Sequence, residues 1–279
     1  MMKIGVLTSC YRVDVRQGIR IAWEQGAHGV QLWSPGTELD PGELSGSGRQ
    51  EVKDYVNSFD LQIAALCGEE GVFTDPDTVE QRVERARKLV NLALDLGCPI
   101  VTSPIGALAD DETDGSWKTA AEALNELGLY ATNLDIRWAI DAGDRDPKVL
   151  KRFLDRLKTE GIAVNYDPAS LIMNGFDHVA AVTTLRSWIV HTHARDGLPA
   201  AEEKEAREVP LGEGHVDYPT YLRALSEAGY DGFLTVKRET SDDPITEIGR
   251  AIGFLKEQIT RIEGLRDIAR HKARRYFRD

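Results

Sequence analysis

The feature of this chain that most narrows its fold is a beat: short apolar or β-branched runs, each followed by a longer stretch with apolar residues three and four positions apart. The runs fall at residues 3–7, 29–32, 62–66, 100–103, 137–140, 163–166, 189–193 and 233–236. Helical spacing covers 13–25, 49–59, 78–96, 116–127, 147–160, 178–185 and 218–228, with a long stretch from 244 onward. Gly26, Gly97, Gly128, Gly161 and Gly229 stand where left-handed residues would close helices before the next strand. Eight alternations are what a (β/α)8 TIM barrel requires, and no linker or composition shift divides them. One α/β domain is therefore expected over 1–260, with a basic helical extension over 261–279. The rival, an open doubly wound sheet, is weakened because Leu7-Thr8-Ser9-Cys10-Tyr11 has none of the glycines of a dinucleotide-binding turn.

Charge and cysteines narrow the partners. With 34 basic against 46 acidic residues the chain carries a net −12, which repels nucleic acid and anionic membrane, so neither is expected as a partner. No apolar run approaches the roughly 18 residues of a membrane span. The start, Met1-Met2-Lys3-Ile4, reads as the entry to a first strand rather than as a secretory signal. Cys10, Cys67 and Cys98 are scattered and in no metal-ligand spacing, which suits a reducing cytoplasm.

In a barrel of this kind, chemistry sits at the carboxyl ends of the strands. Those ends carry Gln31, Glu69 with Glu70, Asp141, Asp167, His191 with His193, and Lys237 with Glu239. Alternation along a strand puts His191 and His193 on one face, which is expected to be the barrel mouth. Asp167 before Pro168, and Asp141 before Ala142-Gly143, also read as turn-capping residues. Taken together, two carboxylates and an imidazole make a mixed oxygen and nitrogen set for a divalent ion. In the loop 210–217, glycines would let the backbone approach a ligand while Glu213 and His215 reach into the mouth. Asp217 there is also placed to cap the following helix.

From 138 to 240 the motifs Trp-Ala-Ile-Asp-Ala-Gly, Val-Asn-Tyr-Asp-Pro-Ala-Ser-Leu, His-Thr-His-Ala-Arg-Asp, Val-Pro-Leu-Gly-Glu-Gly-His-Val-Asp and Leu-Thr-Val-Lys-Arg-Glu-Thr follow in that order. This order resembles the xylose isomerase-like TIM barrels, and within them the sugar phosphate isomerase/epimerase group. The resemblance implies a sugar substrate, proton abstraction next to its carbonyl, and one divalent ion (Mn, Mg or Zn). That ion would be held by a glutamate after strand five, an aspartate after strand six, a histidine after strand seven and a glutamate on strand eight. Asp167 and His193 match the second and third of these. Asp141 stands for the first with one methylene less.

The fourth position is Lys237, whose ammonium has no lone pair to offer a metal. Glu239 shares its parity but would lie about 6.6 Å farther along an extended strand. Arg195 likewise replaces a lysine of the family pattern with a planar fork. The catalytic candidates are thus Lys237, Asp141, His191 and Glu213, with Arg195, His215 and Glu239 binding substrate. Lys237 is expected to form a salt bridge to Asp141 or Asp167 and to oppose the metal.

Three functions follow: a metal-dependent sugar isomerase or epimerase, a metal-free enzyme in which Lys237 stabilises an enediolate or forms an imine, and a sugar-binding relative without turnover. Apurinic endonucleases of the same superfamily need many histidines, whereas this chain has six, with His28, His178 and His271 in or beside helices. At the end, 261–279 carries seven basic and three acidic residues, with Ile262, Leu265, Ala269, Ala273 and Tyr276 at helical spacing. This stretch reads either as a solvated terminal helix or as one that docks on an acidic neighbouring subunit, which would make a homo-oligomer.

Overall fold

The computed structural model describes residues 1–68, 72–202 and 204–276, without the side chains of residue 263 and of residues from 265 onward. Eight parallel strands close into a barrel in the order β1 (Lys3–Leu7), β10 (Phe233–Val236), β7 (Ile189–Ala194), β6 (Ile162–Tyr166), β5 (Arg137–Ala142), β4 (Ile100–Ser103), β3 (Gln62–Cys67) and β2 (Gly29–Trp33). The helices are α1 (Val15–Glu24), α2 (Gly46–Asn57), α3 (Val79–Leu96), α4 (Gly115–Thr132), α5 (Pro147–Leu154), α6 (Pro168–Met173), α7 (His178–Leu185), α8 (Tyr218–Glu227) and α9 (Pro244–Tyr276). The expected (β/α)8 barrel is therefore the fold. Glu69 and Glu70 lie outside the described residues, as does the expected apolar stripe beyond Ile262. Among the described residues no helix is long and apolar enough to cross a membrane.

Side-chain parity divides the barrel into two chemistries. Leu234 and Val236 on β10, and Val164 and Tyr166 on β6, are fully or almost fully buried. The Tyr166 ring stacks on Tyr221 of α8, so this parity faces the helix layer. The opposite parity is polar: Gln31, Asn165, His191 and Thr235 are all completely buried and hydrogen-bonded to one another or to neighbouring strands. A satisfied polar network of this kind fixes one arrangement of side chains, because any member left unpaired in low dielectric would be costly. At the base, Gly5 and Gly29 make room for β10. A Cβ at 5 would come 2.8 Å from Thr235 Oγ1, and one at 29 would come 2.7 Å from the Phe233 ring.

Aspartates start five of the helices, α1, α4, α5, α7 and α8. Asp14, Asp114, Asp146, Asp177 and Asp217 each accept a first-turn backbone N–H at 2.8–3.2 Å. Each such cap stabilises by about 1 kcal/mol and pins a loop at the carboxyl end of the barrel.

Three local expectations need correction. The stretch 147–160 is helical only to Leu154, and beyond it the Lys158 N–H is taken by the Asn125 side chain at 2.6 Å. Gly128 lies inside α4, where a Cβ would meet Thr159 at 2.5 Å, and a Cβ on Gly161 would run into the Gly128 carbonyl. These two glycines allow close packing rather than closing helices. Between β7 and α8 the chain adds an unforeseen antiparallel hairpin, β8 (Asp196–Leu198) and β9 (Arg207–Val209).

Candidate active site at the barrel mouth

Asp141, Asp167, His193 and Lys237 come from four consecutive strand ends, β5, β6, β7 and β10. The two oxygens of Asp167 do different work. Oδ1 caps α6 by accepting the Ser170 N–H at 2.9 Å, while Oδ2 faces His193 Nδ1 and Arg195 Nη1, each at 3.5 Å. Both readings of this aspartate, as a turn cap and as a site residue, therefore hold in one side chain. Asp141 is half-buried, and its Oδ1 accepts a hydrogen bond from Asn165 Nδ2 at 2.7 Å.

Asn165 ties the cluster to its base. Its Oδ1 accepts from His191 Nδ1 at 2.7 Å, and His191 Nε2 in turn accepts from the Thr235 hydroxyl at 2.8 Å. Burial, with the His193 ring beside it, holds His191 well below the usual imidazole range, so it is neutral. His191 and His193 share a face, as alternation requires, but His191 is fully buried with both nitrogens engaged. The structure places it beneath the mouth, as a support for Asn165. His193 Nε2 lies 3.1 Å from Gln31 Oε1, and Gln31 donates to Thr102 Oγ1 at 2.9 Å.

The cations are arranged differently from the expectation. Lys237 Nζ pairs with Glu239 Oε2 at 3.4 Å, and the ion pair to Asp167 is made by Arg195 instead. The barrel strand ends at Val236, and Lys237 and Glu239, two residues apart and of the same parity, bring their long side chains together. Arg195 spans three carboxylates, Asp167, Glu208 at 3.5 Å and Glu239 at 3.1 Å, a reach that suits a guanidinium fork better than an ammonium. Burial alone would lower the Lys237 pKa, but Asp167 and Glu239, with Asp141, raise it, so the group stays an ammonium. That direction disfavours an imine at Lys237, which needs the free amine.

The loop 210–217 also works in an unforeseen way. The Asp196 carboxylate, 1% exposed, accepts the backbone N–H groups of Gly197, Gly212, Gly214 and Val216 at 2.9–3.0 Å. A Cβ on Gly214 would lie 2.1 Å from Asp196 Oδ1, so the glycine lets the backbone approach this carboxylate, where a ligand had been expected. The Glu213 and His215 side chains are exposed, and no hydrogen bond or ion pair joins them to the Asp141–Lys237 cluster.

Two buried residues that the sequence did not single out hold the site together. Asn165 stands in the apolar run Ala163-Val164-Asn165-Tyr166 at the inward parity of Asp167, a signal that was available. Glu208 sits in a three-residue strand too short to carry any periodicity. It accepts from the Glu239 and Thr240 N–H groups and faces both Arg195 and Arg238.

The two carboxylates at the mouth are pushed apart in acidity. Burial raises the Asp141 carboxyl against the pull of His193, Asn165 and Lys237. Burial would raise Asp167 as well, but the His193 hydrogen bond with the charges of Arg195 and Lys237 outweighs it and holds Asp167 below the usual range. The stability consequences have opposite signs. In the pH interval above the unfolded value, about 3.9, the folded state keeps the Asp141 proton, and that contribution is lost as pH rises through the folded value. Asp167 contributes stability above about 3.9 that is lost as pH falls through its lowered value. Thermal unfolding followed from acid to mildly alkaline pH is therefore expected to show Asp141→Asn gaining on wild type as pH rises, and Asp167→Asn falling behind it. Parallel curves would contradict the assignment.

The residues present do not fit a divalent ion. Two of the three donors expected from the sequence already face other side chains, Asp167 the Arg195 guanidinium and the His193 ring, and His193 the Gln31 amide oxygen and Asp167. The fourth direction holds an ammonium, which repels a metal and donates no lone pair. Among the described residues no group of three or more His, Cys, Asp or Glu side chains is disposed to hold a metal.

Comparison with known proteins agrees with the architecture. The family described as xylose isomerase-like TIM barrel matches residues 19–258. Inosose dehydratase from Geobacillus thermodenitrificans is 24% identical over 145 residues, 46% of this chain and 48% of that protein, so the chain spans about half the length of such curated relatives. A xylose isomerase domain protein from Planctomyces limnophilus superposes with a TM-score of 0.83 at 21% identity, covering 94% of this chain and 99% of the other. An L-ribulose 3-epimerase gives 0.78 at 16% identity, covering 96% and 98%. A xylose isomerase-like TIM barrel protein from Mycobacterium smegmatis, solved in complex with magnesium, gives 0.76 at 16% identity, covering 94% and 98%. With that family matched along most of its length, this chain belongs to the xylose isomerase-like TIM barrels.

Proposed function

We propose that this chain is a sugar isomerase- or epimerase-like enzyme that moves a proton on the carbon next to a carbonyl, in a sugar or polyol-derived substrate. The observation that carries the reading is the convergence of Asp141 and Asp167, from adjacent strands, with Lys237 and Arg195 at the carboxyl end of one barrel. Asp141 takes the proton, since burial raises its pKa and makes it a stronger base than an ordinary carboxylate. The C–H electron pair moves into a new C=C bond and the carbonyl oxygen becomes an enediolate oxygen, which the Lys237 ammonium stabilises. A proton delivered to the opposite face by solvent water gives an epimer, and return of the Asp141 proton to the neighbouring carbon, with the hydroxyl proton passing to the former carbonyl oxygen, gives an isomer. Loss of an adjacent hydroxyl instead would give a dehydration, the outcome that likeness to inosose dehydratase supports. Asp167 stays ionised and holds Arg195 and His193 in place. Arg195 and Glu239, with Glu213 and His215 on the rim loop, are assigned to the substrate's hydroxyls.

The test is solvent exchange. Protein in deuterated buffer with inososes and with phosphorylated and free ketoses should place deuterium on the carbon beside the carbonyl, read by proton NMR. Sugar binding by calorimetry with no exchange on any of them would make the chain a binding protein without turnover.

A further inference from the structure

We infer that the Lys237 ammonium is the group that keeps a divalent ion out of this mouth, so that a carboxylate at this position, added to Asp141, Asp167 and His193, turns the chain into a divalent-metal binder. Asp141, Asp167 and His193 stand on three successive strand ends, with Asp167 Oδ2 and His193 Nδ1 already 3.5 Å apart. Lys237 follows the last residue of β10, and its N–H donates to the Ala194 carbonyl at 3.2 Å, which places it one strand from His193. Its ammonium acts on both aspartates, and it supplies positive charge where the two carboxylates would otherwise call for a cation.

A carboxylate in this place reverses the local charge and adds an oxygen donor of the type that magnesium and manganese prefer. A glutamate side chain is one covalent bond shorter than lysine, so an ion about 2 Å beyond its oxygen would lie near the present Nζ. Releasing Asp167 to such an ion does not strand Arg195, because the guanidinium keeps Glu208 and Glu239. Glu239 loses its lysine partner but retains Arg195 at 3.1 Å. The Asn165 amide continues to orient Asp141.

Manganese alone is the probe, titrated by calorimetry into full-length, chelator-treated wild type, Lys237→Glu, Lys237→Gln and Lys237→Met, with electron paramagnetic resonance on the same samples. Lys237→Glu is expected to bind one equivalent roughly 100-fold more tightly than wild type, and Lys237→Met to gain less than about tenfold, since it removes the cation without adding a donor. Asp167→Asn in the Lys237→Glu background should lose most of that gain. Tight binding of one equivalent by wild type, or equal affinities of Lys237→Glu and Lys237→Met, would overturn the inference. If circular dichroism shows Lys237→Glu unfolded, the other pair decides: Lys237→Gln binding more tightly than Lys237→Met supports it, and equality overturns it. Metal affinity and solvent exchange are read separately, so either can fail while the other stands.

Discussion

Replacing Glu208 with alanine is expected to lower the melting temperature by about 10 °C, a loss of about 3 kcal/mol at roughly 2–4 °C per kcal/mol for a chain of this size. The Glu208 side chain is 1% exposed and lies 3.5 Å from both Arg195 Nε and Arg238 Nη1. It also accepts from two backbone N–H groups and from the Thr240 hydroxyl. Alanine leaves both buried guanidinium groups short of a counter-charge and three donors unpaired, which is why breaking such a cluster costs more than forming it contributes. Glu247 remains 2.6 Å from Arg238, and Asp167 and Glu239 remain on Arg195, so the loss stays at the lower end of the range for buried ion pairs. Glu208→Gln, which keeps the volume and one acceptor oxygen, should recover part of the loss. Thermal unfolding by circular dichroism decides, and an unchanged melting temperature for Glu208→Ala would mean that the hairpin does not anchor the mouth.

Asp141→Asn should reduce carbonyl-adjacent proton exchange by about 10²- to 10⁴-fold, the usual contribution of a positioned acid–base group. The amide oxygen can still accept from Asn165, so the mouth should keep its shape while losing the group that carries the proton. The loss should appear in kcat with little change in substrate affinity, because the carboxylate acts on the reacting carbon rather than on the hydroxyls that bind. Full exchange in the variant would move the base to another residue, with Glu239 the first candidate, since its carboxylate is part-exposed beside Lys237.

The barrel was legible from rhythm alone because all eight barrel strands are short, apolar and separated by helices of ordinary length. Strand ends then brought Asp141, Asp167, His193 and Lys237 onto four neighbouring strands of the closed barrel, and alternation put His191 and His193 on one face. What parity could not convey was depth. His191 shares the inward face of His193 but sits one pleat lower, where Thr235 and Asn165 consume both its nitrogens. Nor could it convey what happens after a strand ends. Glu239 pairs with Lys237 just past the end of β10, and Glu208 arrives from a hairpin of three-residue strands with no pattern to detect. The glycines of the 210–217 loop were visible, but the carboxylate they approach, Asp196, is distant in sequence and became apparent only with the fold.

The most direct measurement is the exchange rate of wild-type protein in deuterated buffer, taken before chelator treatment, after it, and after adding back one equivalent of manganese, magnesium or zinc. If the Lys237 ammonium does the work of a cation at the enediolate oxygen, the rate is the same in all of these samples. A rate that vanishes on chelation and returns with one equivalent of ion would contradict that role and restore a metal to the mouth.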